Sequence, residues 1–385
     1  MSLRKSDAPL HVAFVCDEYP PALSGGIGPA VAALARGLAA AGHKVSVIGH
    51  YEKPSRDDDA GVTIYRLSYP RVPFAWLVVR KQLRAAIADL HRSQPIDIVE
   101  WPDYRGMYWS GLPGVTDVLK IHGTIMSHRV HAVGRNHGLR SRIIEILERR
   151  AMHAIPYWVG VSATFKEEWK TYLRAEPRVE EVVYNPVDTQ MFRPDSRARE
   201  KLLLYCGGFR YRKGVLVLAS ALGLAHAALG DYRMLMMGFE ADVSMDELRH
   251  AAGPAAARLE FRSFASQQEV AEQMRRAQLY VMPSYYESCG NTWLEAMASG
   301  TPVIGSTLSC GPEVITANET GLLANPNSAA DVAAKLQQLL GDPQLAARLG
   351  KAARHRAEEL FSVEVGVMRS LAFYRRVLED AARGT

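Results

Sequence analysis

Cysteine is scarce in this chain. Four residues, Cys16, Cys206, Cys289 and Cys310, are scattered through 385 with none at metal-ligand spacing. That excludes a disulfide framework and argues against a zinc site, so reduced thiols in the cytosol are the expectation. No apolar run reaches the length of a membrane span: the most apolar segment, Val215 to Gly230, is shorter and contains His226. The opening residues hold no apolar core of signal-peptide length. Charge of one sign is lacking too. Lys and Arg number 46 against 41 Asp and Glu, a net charge of +5, and no nucleic-acid-binding motif accompanies this mild basic bias. Nor does an Asp-x-Asp sit at a strand end to hold a divalent ion; Asp57-Asp58-Asp59 falls in a polar loop and reads as a solvated charge run.

What is present suits two globular domains, since the chain is too long for one comfortable core. Residues Tyr280 to Ile304 are the most informative stretch. Leu279 to Met282 is a short apolar strand ending at Pro283, and Thr292 to Ser299 is a helix whose Trp293, Leu294 and Met297 face a sheet. Gly300 and Pro302 end it as a C-cap and an X-Pro exit should. The helix therefore starts near Gly290-Asn291, and its first N–H groups form an anion site beyond the strand's carboxyl end. Two carboxylates eight residues apart, Glu287 and Glu295, flank that start. Bare carboxylates repel a diphosphate, so they fit only if they accept hydrogen bonds from hydroxyls attached to it. A diphosphate with a polyol at each end is a nucleotide sugar. Singly, each glutamate reads more simply as a solvated loop residue or a helix N-terminal acid; as a pair they favour the ligand.

Glu287-Ser-Cys-Gly290-Asn-Thr-Trp-Leu-Glu295-Ala-Met-Ala-Ser-Gly-Thr-Pro-Val-Ile resembles the E-x7-E signature of retaining glycosyltransferases of family 4, which have the GT-B fold. The resemblance implies that Glu287 contacts the donor sugar, Glu295 the ribose, and the amides of Gly290, Asn291 and Thr292 the sugar or phosphates.

Other segments extend it. Cys206-Gly-Gly208-Phe-Arg210-Tyr-Arg212-Lys213-Gly214 follows a strand and opens an apolar helix, where basic side chains make a diphosphate cradle. It resembles the family's Gly-Arg…Lys-Gly motif: Lys213-Gly214 match, but the family arginine aligns with Gly208, leaving Arg210 or Arg212 to replace it. His122-Gly123, at the end of strand Val118 to Ile121, offers an imidazole for a sugar hydroxyl or a proton; the resemblance makes it a contact of the donor sugar. Gly25-Gly26, between strand His11–Cys16 and helix Pro29–Ala41, lets amides approach a phosphate or sugar, and the resemblance lays it against the donor. Trp101-Pro-Asp103-Tyr104-Arg105-Gly106, at a strand's carboxyl end, is read as an acceptor site or an ordinary connection. Ala75 to Leu90 reads as an amphipathic helix with Arg80, Lys81 and Arg84 on its polar side. Arg129, Arg135, Arg140, Arg142, Arg149 and Arg150 form a basic run: a solvated face, or a platform for an anionic lipid carrier, a membrane surface or an acidic glycan.

The expected fold is α/β, GT-B, two doubly wound Rossmann-like domains facing across a cleft. Residues 1–190 form the acceptor-side domain and 191–360 the nucleotide-sugar domain. The polar segment Thr189 to Lys201 is the linker, and residues 361–385 a helix crossing back to the first domain. The expected function is retaining transfer of a sugar from a nucleoside diphosphate sugar to an acceptor hydroxyl, with no metal or other cofactor. UDP-sugars are favoured as donors and GDP-mannose is second. The pathway expected is cell-surface polysaccharide, glycolipid or glycoside synthesis; the acceptor, lipid-linked ones included, is unknown. The setting is cytoplasmic, with peripheral membrane contact an option and nucleic acid not a partner. A GT-B nucleotide-sugar epimerase and a non-catalytic nucleotide-sugar-binding protein are the alternatives. A dinucleotide oxidoreductase is disfavoured, because the glycines come well after the first strand and Lys44 to Ile48 runs into Gly49-His50 with no carboxylate at its tip.

Overall fold

The structure, a computed structural model, describes residues 8–22, 25–72, 75–123, 139–164, 176–263 and 266–383. They fall into two compact units, one running to Pro186 and taking in the C-terminal segment from Val363, the other running from Val187 to Ser362.

The first unit begins with β1 (His11–Val15), α1 (Ile27–Ala40), β2 (Lys44–Tyr51), β3 (Ser55–Asp59), β4 (Val62–Ser68), α2 (Ala75–Ser93), β5 (Ile98–Pro102) and β6 (Thr116–Ile121). It continues with α3 (Leu139–Ala154), β7 (Tyr157–Gly160) and β8 (Val179–Val182). The strands form one sheet in the order β3-β4-β2-β1-β5-β6-β7-β8, parallel throughout except that β3 runs antiparallel to β4. Covering both faces of a parallel sheet buries its strands completely, which is why His11-Val-Ala-Phe-Val and Ile98-Val-Glu-Trp-Pro are buried at every position.

The second unit holds β9 (Glu200–Cys206), α4 (Val215–Leu224), β10 (Arg233–Met237), α5 (Met245–Ala252), β11 (Leu259–Arg262), α6 (Gln267–Arg276) and β12 (Ala277–Val281). After these come α7 (Asn291–Ala298), β13 (Val303–Ser306), α8 (Gly311–Val314), β14 (Leu322–Ala324), α9 (Ala329–Gly341) and α10 (Pro343–Arg356). Its sheet is all-parallel, in the order β11-β10-β9-β12-β13-β14. The chain winds outward from β9 to β11, then returns to the other side of β9 at β12. Such a reversal leaves a crevice outside the carboxyl ends of the two central strands, where doubly wound sheets bind ligands. In the first sheet the corresponding point lies between β1 and β5.

The last helix, α11 (Val363–Arg383), belongs to the first unit. It lies against α1 so closely that a Cβ on Gly37 would sit 2.5 Å from Val363. Its Tyr374 hydroxyl donates to the buried Glu100 carboxylate (2.6 Å), and Tyr157 donates to its Asp380 (2.9 Å).

Three sequence expectations are corrected. Asp57-Asp58-Asp59 is not a loop but edge strand β3, with Asp59 accepting from Arg36 (2.6 Å) and Tyr19 (2.8 Å). Arg80 is not on the polar side of α2: it is buried, donating to the carbonyls of Trp76, Arg105 and Gly106. The segment Thr189 to Lys201 is not a free linker, because Phe192 is buried in the second unit and Arg199 donates to the carbonyls of Ala277 (2.8 Å) and Ser299 (3.0 Å) and to the Thr301 hydroxyl (2.8 Å).

Candidate functional site

The loops after β9 and β12 are locked together backbone to backbone. Gly214 has φ of +67°, and a Cβ there would lie 2.0 Å from the carbonyl oxygen of Pro283, so the position requires glycine twice over. Tyr285 N donates to Arg212 O (2.8 Å), Arg212 Nη1 donates to Tyr286 O (3.2 Å), and the rings of Tyr211 and Tyr285 stack with centroids 5.1 Å apart.

This zipper delivers Lys213 Nζ to 2.7 Å from Glu287 Oε1, with the side chains only 15% and 9% exposed. Ser284 Oγ donates to the same carboxylate oxygen (3.1 Å), and Arg212 Nη1 is 3.7 Å from it. Burial pushes the Glu287 carboxyl up, but Lys213 and Arg212 outweigh it and hold the group below its ordinary value. Burial in turn draws the Lys213 ammonium down against the pull of Glu287. The backbone of Glu287 is clamped by Ser309: its N–H donates to Ser309 Oγ (3.2 Å), which donates back to the Glu287 carbonyl (2.5 Å). Ser309 holds φ of +56°, a conformation seldom adopted by residues other than glycine.

Helix α7 begins four residues past this carboxylate. Gly290 precedes it at φ +65°, where a Cβ would be 2.2 Å from the Trp293 ring, and no side chain caps the helix. The first turn, with the amides of Asn291 and Thr292, thus presents the helix's positive end beside Lys213 and Arg212. The Thr292 hydroxyl accepts from Tyr280 (2.7 Å), which fixes the turn to β12. One turn on, Glu295 is buried, and burial raises its carboxyl to about 8 against the opposing effects of Gln267 and Lys213. Its charge is also felt by the Cys206 thiol at the end of β9, so both glutamates lie at the crevice of the second sheet. The guanidinium of Arg210, in contrast to that of Arg212, makes no hydrogen bond or ion pair within the described residues, although the Arg210 carbonyl accepts from Lys213 N–H (2.9 Å).

In the first unit, His122 directly follows β6 and is buried; burial, assisted by Lys120, lowers its imidazole to about 3, so it is neutral across the physiological range. Asp103 accepts from the N–H groups of His122 (3.1 Å) and Gly123 (2.9 Å), and burial raises its carboxyl to about 6. His122 Nδ1 has no partner among the described residues. A neutral ring suits hydrogen bonding to a hydroxyl better than proton shuttling. Asp103 and Trp101, in the segment read from sequence as an acceptor site or an ordinary connection, are buried, Trp101 Nε1 donating to Asp117 (2.7 Å). Gly25 and Gly26 lead into α1, Gly26 being its N-cap.

Residues 24–191 match the family described as Glycosyltransferase Family 4, and residues 187–356 match Glycosyl transferases group 1. The chain is a family 4 glycosyltransferase. It is 27% identical to a glycogen synthase of Mycobacterium tuberculosis over 90% of each chain. Its fold is that of sucrose-phosphate synthase from Thermosynechococcus elongatus, with a TM-score of 0.81, 22% identity and coverage of 96% of this chain and 100% of that one. HepE of Anabaena, solved with UDP and glucose, superposes with a TM-score of 0.67 at 15% identity over 94% of this chain and 98% of that one. Both α/β units therefore make a GT-B glycosyltransferase, and the epimerase and non-catalytic alternatives give way to glycosyl transfer.

The sequence reading of this glycosyltransferase missed Ser284 and Ser309, which hold the side chain and backbone of Glu287. Ser284, three residues before the glutamate, was the one local signal; Ser309 is brought in by tertiary contact alone. Of the basic run, Arg129 and Arg135 lie outside the described residues. On α3, Arg142, Arg149 and Arg150 are exposed beside Ile143 and Ile146, the latter 64% exposed. Among the described residues no helix is long and apolar enough to cross a membrane.

Proposed function

We propose that this enzyme transfers a glycosyl unit, with retention of anomeric configuration, from a nucleoside diphosphate sugar to an acceptor hydroxyl. The observation that carries the reading is the buried Lys213–Glu287 pair, with Arg212 beside it, set against the uncapped start of α7. Opposite charges held together at a positive helix end suit a ligand that is anionic at its centre and hydroxylated at its ends. As the diphosphate leaves, Lys213, the amides of Gly290 to Thr292 and an arginine of the 210–212 loop meet the charge developing on it. Glu287 accepts from hydroxyls of the sugar and Glu295 from those of the ribose. His122 donates to or accepts from the sugar as a neutral ring, and the Gly25-Gly26 turn lies against the donor.

UDP-sugars are the favoured donors, in keeping with the UDP and glucose held by HepE, and GDP-mannose is second. The acceptor is bound by the first unit, in cell-surface polysaccharide, glycolipid or glycoside synthesis on the cytoplasmic side. A lipid-linked acceptor fits the exposed basic and apolar face of α3, which suits peripheral contact with an anionic membrane surface.

The test is incubation with a panel of UDP-, GDP- and ADP-sugars and candidate acceptors, reading released nucleoside diphosphate and the product's anomeric configuration by NMR. Release of a nucleoside diphosphate with a retained linkage supports the reading; an inverted linkage, or no release with any donor, sinks it.

A further inference from the structure

The two arginines of the loop after β9 are not equivalent, and Gly208 is the reason. Past the end of β10 the backbone pairing continues: Gly207 N donates to Met237 O (2.9 Å), Phe209 N to Phe239 O (2.8 Å), and Val243 N to Phe209 O (3.1 Å). Phe239 is thereby fixed alongside Gly208, whose carbonyl is held by the Tyr205 hydroxyl (2.9 Å). A Cβ on Gly208 would lie 3.1 Å from Phe239 Cζ and 3.5 Å from Arg210 Nε. The bare glycine leaves room that a ring from one side and a guanidinium from the other have taken. Phe239 is 53% exposed, so the ring lines open space.

Arg212 is already engaged, by the Tyr286 carbonyl (3.2 Å) and the Glu287 carboxylate (3.7 Å). Arg210, reaching back over Gly208, has no acceptor among the described residues, yet its charge is felt at the Lys213 ammonium. Two cations close together, one of them with no counter-charge, are an arrangement that a dianionic ligand neutralises, and the planar fork of a guanidinium fits phosphate oxygens in pairs. We infer that Arg210 grips the donor diphosphate together with Lys213, and that Arg212 is a positioning residue that holds Glu287. The inference rests on the donor-site reading above.

The experiment titrates whichever of UDP, GDP and ADP the wild type binds most tightly, and the matching monophosphate, into wild type, R210A, R210K, R212A and K213A by calorimetry. Loss of a charged hydrogen-bond pair predicts that R210A weakens the diphosphate by about 100-fold, R210K by about 10-fold, and the monophosphate by far less in both. R212A moves diphosphate affinity less than R210A does, and lowers kcat with KM nearly unchanged. Removing the ring and restoring a guanidinium two residues earlier, in G208R/F239A/R210A, recovers part of the lost affinity relative to F239A/R210A. Should the triple variant fail to fold, R210A and R210K, changed at a side chain bonded to nothing else among the described residues, decide the matter. The inference falls if R212A suffers the larger loss of diphosphate affinity, or if R210A weakens di- and monophosphate equally. If K213A also leaves diphosphate binding untouched, the donor-site reading falls as well; if K213A weakens it and R210A does not, only the assignment of Arg210 falls.

Discussion

Replacing Lys213 by Met tests the ion pair on which the site is built. The ammonium is 2.7 Å from Glu287 Oε1 and both side chains are largely withdrawn from water. Deleting one partner of a buried pair leaves an uncompensated charge at about 3–5 kcal/mol; with Arg212 still 3.7 Å away, we expect the lower part of that range for K213M. K213M/E287Q removes both charges and should recover most of the loss, giving a coupling of about 1.5–3 kcal/mol in a double-mutant cycle. The pH dependence carries a sign. In the wild type the Glu287 carboxyl is held below its ordinary value, so its contribution is present above that value and lost as pH falls through the folded one. In K213M burial dominates, the carboxyl rises, and stability falls as pH climbs past the ordinary glutamate range. The deficit of K213M should therefore be larger at pH 8 than at pH 5. Urea unfolding of 5-fluorotryptophan-labelled protein measures it, because Trp293 is the one tryptophan of six between residues 187 and 362 and its 19F line reports that unit. Equal deficits in the single and double variants, or a deficit indifferent to pH, would show that the Lys213–Glu287 pair does not stabilise the fold.

Three further outcomes are expected. Gly214→Ala, forced to φ +67° with its methyl 2.0 Å from the Pro283 carbonyl, should displace Lys213, lower the second unit's stability by about 2 kcal/mol or more, and abolish nucleoside diphosphate binding; chemical unfolding and calorimetry check both. The Glu295 carboxyl is raised in the folded state from 4.5 to about 8, so stability should fall as pH rises between those values, by about 1.4 kcal/mol per unit of pH; E295Q should lack this fall, and a stability difference between E295Q and wild type that does not widen with pH would contradict it. Reversing three exposed charges in R142E/R149E/R150E should reduce co-sedimentation with anionic vesicles at least 100-fold, at about 1 kcal/mol per basic residue, and leave the weak association with zwitterionic vesicles unchanged.

Elements that obey one local rule were legible in the sequence. Parallel strands covered on both faces read as unbroken apolar runs, as at His11–Val15, and α7 was bracketed by Gly290 and by Gly300-Thr-Pro302, whose Gly300 adopts φ +63°. What escaped were polar residues satisfied by distant backbone. Arg80 and Arg199 are charged and so look solvated, yet each is used to close carbonyls far along the chain. Ser55-Arg-Asp-Asp-Asp59 has no apolar residue to announce a strand and is held at the sheet edge by Arg36, Arg66 and the β4 ladder. Glu287 and Lys213 were each singled out, but their pairing spans 74 residues and depends on Gly214 and Pro283 touching, which no local pattern encodes.

The most direct test is a crystal structure with a nucleoside diphosphate sugar bound. The diphosphate is expected against Lys213 and the amides of residues 290–292, with Glu287 on hydroxyls of the sugar and Glu295 on those of the ribose. A diphosphate found away from that helix start, with both carboxylates turned from the ligand, would contradict that placement.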